Sequence, residues 1–247
     1  MVHRRLFQVT GLFVIFFLFG CGNAKSSGQY SNQAIQEVNV SQLLTEVNHD
    51  RQAEDYFNQG NSWFNTQRYK DAIAAYDKAI SIKPKSAEVW NNRGNAFNSL
   101  NQHQEAIASY NKALAIQPNK HETWFNKGNV LSGLKRYQEA IASYDKAIAI
   151  KSNKHEAWIN KGIALTKLQR YKKAIASYDK AIAIQPNQHE AYYNKACAYA
   201  LQSDAKLAVA NLQKAFALYP RKYKKLAKTD PDFGKIRGDK QYQAFIQ

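Results

Sequence analysis

Residues 87–120 read AEVWNNRGNAFNSLNQHQEAIASYNKALAIQPNK. Within them Ala106, Ile107, Tyr110, Ala113 and Leu114 recur at helical spacing and form one apolar stripe. The same 34 residues return on both sides. Trp90, Trp124 and Trp158 stand 34 apart, and Gly60, Gly94, Gly128 and Gly162 share that period. So do Ala72, Ala106, Ala140, Ala174 and Ala208, and Ala79, Ala113, Ala147, Ala181 and Ala215. Pro84, Pro118, Pro186 and Pro220 close four of the copies, with Ser152 in the place of the remaining proline. Set by these marks, the copies are 53–86, 87–120, 121–154, 155–188 and 189–222, and the third and fourth agree at 22 of 34 positions. A period of this length is the mark of a stacked-repeat architecture, in which each copy buries its apolar face only against its neighbours.

An aromatic residue at position 4 of the copy, Gly at 8, Ala at 20, Tyr at 24, Ala at 27 and Pro at 32 resemble the tetratricopeptide (TPR) family; in 87–120 these are Trp90, Gly94, Ala106, Tyr110, Ala113 and Pro118. The resemblance implies an all-α, right-handed solenoid of five helix-turn-helix repeats. Small residues at 8, 20 and 27 allow two helices to approach closely, and proline is expected to end the second helix. The fifth copy departs most, with Tyr192, Ala196 and Leu212 at positions 4, 8 and 24. Residues 223–247, with Asp230-Pro231-Asp232-Phe233, Tyr242 and Phe245-Ile246, read as a helical cap whose aromatics cover the solenoid's end.

Upstream of the repeats, His3, Arg4 and Arg5 precede an unbroken apolar run, Leu12 to Phe19, short for a spanning helix and suited to a secretory signal over 1–20. Leu18-Phe19-Gly20-Cys21 resembles a bacterial lipobox, which implies cleavage before Cys21 and a diacylglyceryl thioether on its thiol, although Phe19 departs from the small or β-branched residue usual there. The alternative is an uncleaved N-terminal anchor. Residues 21–52 read as a polar tether through about Asn39, then a short helix capped by Ser41 and carrying Leu43, Leu44 and Val47. Both readings place the body outside the cytoplasm or tethered to its membrane.

Signatures of catalysis are missing from the pattern. His121-Glu122, His155-Glu156 and His189-Glu190 open like a zinc-protease helix, but the place of the second histidine holds Phe125, Ile159 and Tyr193. Cys197 is a lone thiol for which no base is nominated, and two cysteines are two ligands short of a cysteine-only metal site. No glycine-rich phosphate loop or nucleophile elbow occurs. The expectation is a chain with no metal, no cofactor and no enzymatic activity.

In TPR proteins the first helix of each repeat lines the concave surface through positions 2, 5, 6, 9, 12 and 13. Position 2 is Glu in every copy (Glu54, Glu88, Glu122, Glu156, Glu190) and position 6 is Asn in every copy (Asn58, Asn92, Asn126, Asn160, Asn194). With Asn95 and Asn129 the amides form a ladder suited to a peptide backbone, and Phe125 and Tyr193 offer apolar contact. Periodic asparagines could equally be copies made by duplication. The lysine clamp by which some family members hold the carboxylate terminus of chaperones is not matched. Position 5 reads Phe57, Asn91, Phe125, Ile159 and Tyr193, and position 2 offers only glutamates.

The net charge of +16 invites a nucleic-acid or anionic-membrane partner. Its location argues otherwise. Lys78, Lys112, Lys146, Lys180 and Lys214 sit at position 26, on the second helix. Arg93, Lys127, Lys161 and Lys195 sit at position 7, where their stems are expected to pack and their heads to reach solvent. The groove carries the opposite sign. The expectation is therefore a membrane-anchored scaffold that binds a protein or peptide, with nucleic acid excluded by export. An assembly factor for a membrane complex, or anionic-surface binding through the lysine ladder, stands as the alternative.

Overall fold

The computed structural model describes residues 28–247, with side chains from residue 39 onward. The chain divides into two units, residues 1–47 and 48–247. Every described element is helical, with no strand among the described residues.

In the first unit the described residues belong to α1, which runs Gly28–Asn65 and ends in the second unit as the first helix of the first repeat. This corrects the sequence reading of a tether to Asn39 followed by a separate helix. Nothing from Gln29 to Gln52 is proline or glycine, so no residue breaks the helix. Ser41 is no cap: its carbonyl accepts from Thr45 Oγ1 at 2.8 Å inside the helix. Cys21 and the apolar run before it lie outside the described residues.

In the second unit nine helices make up the rest of the repeats: α2 (Tyr69–Ile82), α3 (Ala87–Ser99), α4 (His103–Ile116), α5 (His121–Gly133), α6 (Tyr137–Ile150), α7 (His155–Lys167), α8 (Tyr171–Ile184), α9 (His189–Leu201) and α10 (Ala205–Leu218). They pair as α3 with α4, α5 with α6, α7 with α8 and α9 with α10, and each second helix also packs on the first helix of the next repeat. The second unit is an all-α solenoid of stacked helix pairs.

The first-to-second turn uses one residue in the left-handed region in every repeat: Gln67, Asn101, Lys135, Gln169 and Ser203, with φ from 57° to 66°. The following amide reaches back to the end of the first helix, as in Arg136 N to Leu131 O at 2.9 Å, and so terminates it. Between repeats, α2, α4 and α8 stop two residues before Pro84, Pro118 and Pro186. The helix α6 stops at Ile150, the equivalent place, although Ser152 stands there instead. The helices end where a following proline predicts, but α6 shows that proline is not required for it. Pro220 even starts a helix, α11 (Pro220–Thr229), at a position where its missing N–H costs nothing.

Helix approach is set by one contact. A Cβ on Gly60, Gly94, Gly128 or Gly162 would lie 2.4–2.6 Å from the ring of Tyr76, Tyr110, Tyr144 or Tyr178, each of them 1% exposed. The fifth repeat replaces both partners together, with Ala196 facing a core that holds Leu212. After α11, a 3-10 turn (Pro231–Ile236) and α12 (Lys240–Ile246) fold onto α9 and α10. Phe233 and Tyr242 are 0% exposed and stacked at 5.5 Å. The cap closes the last repeat's core.

Gly128→Ala should destabilise by about 1–3 kcal/mol through overpacking on Tyr144. In urea titrations the double variant Gly128→Ala/Tyr144→Leu should recover about 1 kcal/mol or more relative to the sum of the two single changes. Simple additivity would refute the contact as the determinant of spacing.

Candidate functional site

The first helices α3, α5, α7 and α9 touch one another in sequence, and lie closer together than the second helices do. The stack therefore closes toward its first-helix face, which is the candidate groove.

Along this face the position-2 glutamates are all exposed. Glu122 pairs with His121 at 2.9 Å, Glu156 with His155 at 3.5 Å and Lys154 at 3.9 Å, and Glu190 with Lys222 at 3.6 Å. His121 Nδ1 is buried without a hydrogen-bond partner. Phe125 keeps a partly exposed ring, set 6.0 Å from Tyr144 with the Lys154 ammonium 4.5 Å above it.

The asparagine ladder has a structural duty that its periodicity alone did not reveal. Asn95 Oδ1 accepts from Tyr110 OH at 2.8 Å and from Asn126 Nδ2, in the next repeat, at 3.1 Å. Asn61 does the same for Tyr76 and Asn92, and Asn129 for Tyr144 and Asn160. Each clasp ties the buried tyrosine of one repeat to the position-6 amide of the following one. Part of the amide's donor capacity at Asn92, Asn126 and Asn160 is thus spent inside the protein: Asn126 Nδ2 also reaches Asn91 Oδ1 at 3.5 Å, Asn160 also contacts the Tyr144 hydroxyl, and Asn92 Oδ1 accepts from Asn91 at 3.1 Å. Asn91 is 7% exposed and its oxygen accepts from the buried Thr123 hydroxyl at 3.0 Å, so it belongs to the packing. The ladder stops at the fourth repeat, where Ile163 takes the clasp position and Tyr178 OH turns to Thr166 Oγ1 at 3.1 Å. Asn58 is exposed and Asn194 partly so, outside the three clasps.

Burial raises the pKa of Tyr76 to about 12, and raises Tyr110, Tyr144 and Tyr178 further, so these hydroxyls donate at any physiological pH.

Tyr193 does not serve the groove as the sequence suggested. It is 8% exposed, stacks on Tyr223 at 4.8 Å, meets Phe233 edge-on at 5.8 Å and donates to Asp230 Oδ2 at 2.5 Å. The cap residues Asp230 to Phe233 cover the place where a ligand would touch it. Cys197, at position 9 of the same helix, is 4% exposed, and burial holds its thiol well above the ordinary cysteine range. That is the opposite of what a nucleophile needs. Among the described residues no group of three or more His, Cys, Asp or Glu could hold a metal ion, and no helix is long and apolar enough to cross a membrane.

The positive charge lies elsewhere. All five position-26 lysines are exposed on second helices. The position-7 cations do not simply reach solvent as expected. Arg93, Lys161 and Lys195 each bond the position-25 aspartate of the preceding repeat at 2.6 Å (Asp77, Asp145, Asp179), and Lys127 bonds Asn111 at 2.7 Å. Arg93, Lys127 and Lys161 also sit 5.2–5.3 Å from the rings of Trp90, Trp124 and Trp158. Those indoles donate to the backbone carbonyls of Pro84, Pro118 and Ser152 at 2.8–3.0 Å. Tryptophan and cation together staple consecutive repeats on the outer side.

A stack of two-helix repeats with a polar inner face and a stapled outer face defines the class of helical-repeat interaction scaffolds. The Tetratricopeptide repeat model matches 87–120, 121–154 and 155–188, and two further TPR models match 60–98 and 177–210. The chain belongs to the tetratricopeptide repeat family. Among solved structures it is similar to MamA (24% identity, TM-score 0.65, covering 72% of this chain and 96% of that one). It is also similar to MamA 41-end of Desulfovibrio magneticus RS-1 (20%, 0.66, 69% and 97%). A third is YrrB, described as a TPR protein with an unusual peptide-binding site (24%, 0.61, 68% and 86%). These likenesses show the fold. No curated protein matches the chain.

Asn95→Ala should cost about 1–3 kcal/mol, because it leaves the Tyr110 hydroxyl and an Asn126 N–H without their acceptor. Thermal unfolding measures it, and a loss below that range would mean that the clasps do not stabilise the stack.

Proposed function

We propose that this chain is a non-catalytic scaffold that binds an extended segment of a partner protein along its first-helix groove, while a lipid on Cys21 holds it at a bacterial envelope membrane. The observation that carries the binding reading is the unbroken inner row of exposed glutamates beside partly engaged asparagines, backed by partly exposed aromatics such as Phe57 and Phe125. Acceptors and donors at regular spacing suit a peptide main chain, whose groups repeat regularly as well. The glutamates favour a partner segment that is neutral or basic. The similarity to YrrB, itself described by its peptide-binding site, supports this use of the fold.

The anchoring half of the proposal rests on Leu18-Phe19-Gly20-Cys21 after the apolar run. Tethering raises the local concentration of the scaffold for membrane-associated partners, so modest groove affinity suffices. Assembly of a membrane complex is one task such a scaffold can serve. The second reading, binding of anionic surfaces, is favoured by the five exposed lysines of position 26. Nucleic acid is not the expected partner of an exported protein.

A photocrosslinking benzoylphenylalanine placed at Glu122, on the inner face, should capture the partner in native envelopes, while the same group at Lys112 should not. Capture from Lys112 alone would overturn the groove in favour of the outer face. Cys21→Ser should shift the protein from the membrane fraction to the soluble fraction; continued membrane retention would overturn the lipid anchor.

A further inference from the structure

Gly133 is the last residue of α5, at position 13 of its repeat, where the other repeats carry Asn65, Ser99, Lys167 and Leu201. Packing does not require a glycine there. A Cβ built on Gly133 meets no atom within 4 Å, in contrast to the glycines that face tyrosine rings. Backbone freedom does not require it either, since the left-handed residue of this turn is Lys135, two places on, with φ 60°. A glycine in a helix costs roughly 0.5–1 kcal/mol relative to alanine, and no contact within the protein repays it.

What the missing side chain does is leave open a pocket of about 250 Å³ lined by Asn129, Ser132, Gly133, Tyr144, Asn160 and Ile163. These are inner-face positions of the third and fourth repeats together with the clasp tyrosine. No charged side chain lines it. Tyr144 OH and Asn160 Nδ2 both donate to Asn129 Oδ1. Asn160 Oδ1 is left as an acceptor, while the Ser132 hydroxyl and the Asn160 amide also lie in hydrogen-bond contact with the Tyr144 oxygen, a contact they would share with or give up to a ligand. Ile163 supplies the apolar wall, in the first repeat where the clasp asparagine has been replaced.

We propose that this pocket is a side-chain subsite of the groove and takes a carboxamide, Asn or Gln, from the bound partner segment. It is smaller than the roughly 300–1,000 Å³ of sites that hold whole small molecules, and suits one side chain. A carboxamide brings both donors and an acceptor to a neutral polar lining that offers both, through Asn160, Ser132 and the Tyr144 oxygen. A charged side chain would lose water there without gaining a counter-charge. The proposal rests on the groove reading and adds its register: the carboxamide sits between the third and fourth repeats.

The full chain is used to select from a displayed library of random peptides. The bound peptides should share Asn or Gln at one fixed place. Gly133→Leu should keep its circular dichroism and melting temperature, because the space it fills is open, yet bind those peptides at least tenfold more weakly. Gly133→Ala, a smaller filling, should weaken them less while being no less stable than the parent. Peptides selected without carboxamide preference, or a preference that survives Gly133→Leu, would overturn the subsite and leave the groove standing. If no peptide is selected and the crosslinker at Glu122 also captures nothing, the groove falls and the subsite with it.

Discussion

The contact between a Cβ-less residue and a buried tyrosine ring sets the geometry on which the rest of the solenoid depends. Gly94 lets α3 approach the ring of Tyr110 more closely than any side chain allows. That approach carries the hydroxyl to the inner face, where Asn95 receives it and in turn receives Asn126 from the next repeat. Intra-repeat spacing and inter-repeat register are therefore one device. Moving the ring by an ångström would break its own bond to Asn95, the acceptor that also holds Asn126 of the next repeat. Because the tyrosines are buried and their hydroxyls stay protonated, the device does not titrate over the range in which proteins work. The fourth repeat keeps Gly162 and Tyr178 but loses the clasp, and the fifth abandons the whole device: Ala196 and Leu212 replace Gly and Tyr together, and a separate cap takes over the sealing of the core.

The two faces divide the labour electrostatically. On the outer side, Trp and Lys or Arg join repeats through a cation–aromatic contact, an ion pair and an indole hydrogen bond, each individually small at a partly exposed site. Repeated along the array, they add nearest-neighbour coupling of the kind that makes a repeat protein fold as a unit. The ion pairs leave the net charge of +16 unchanged, since their aspartates are already counted in it, but they hold these cations against the stack. The lysines of position 26 remain exposed outside this network, and the inner face remains acidic.

The architecture was legible because periodicity is a non-local signal written into a local code. Trp, Gly, Ala and Tyr recurring at 34 residues fix the helix pairs, and the family models fall on the same three copies, 87–120, 121–154 and 155–188. Two features escaped that reading. The start of α1 carries no repeat mark, and polar residues such as Asn, Ser and Gln look like a tether, although without glycine or proline they let the helix run on. The role of the asparagines escaped because a residue copied for packing and a residue copied for binding give the same column. Only the distances show that Asn92, Asn126 and Asn160 serve the stack first. The replacement of Asn by Ile163 at the clasp position was visible, but its meaning needed the partner tyrosine, found only in three dimensions.

Closure of the groove at its C-terminal end obeys the same logic. A solenoid's last repeat must cover the face that a further repeat would have covered. Here the chain does so with Asp230 to Phe233, which occupy the inner positions held by Tyr193 and Cys197. Tyr193 donates to Asp230, much as Tyr76, Tyr110 and Tyr144 donate to asparagines, so the cap imitates the clasp with a carboxylate in place of an amide. Lys235 adds a bond to the Leu201 carbonyl at 2.8 Å, and Phe233 fills the core between Tyr193 and Tyr242. The inner surface left for a ligand therefore spans the first four repeats and ends where Ile163 interrupts the amides. A segment bound as proposed would meet polar groups along most of its course and an aliphatic wall at its end, so a pocket at that junction would distinguish one register of a peptide from the next.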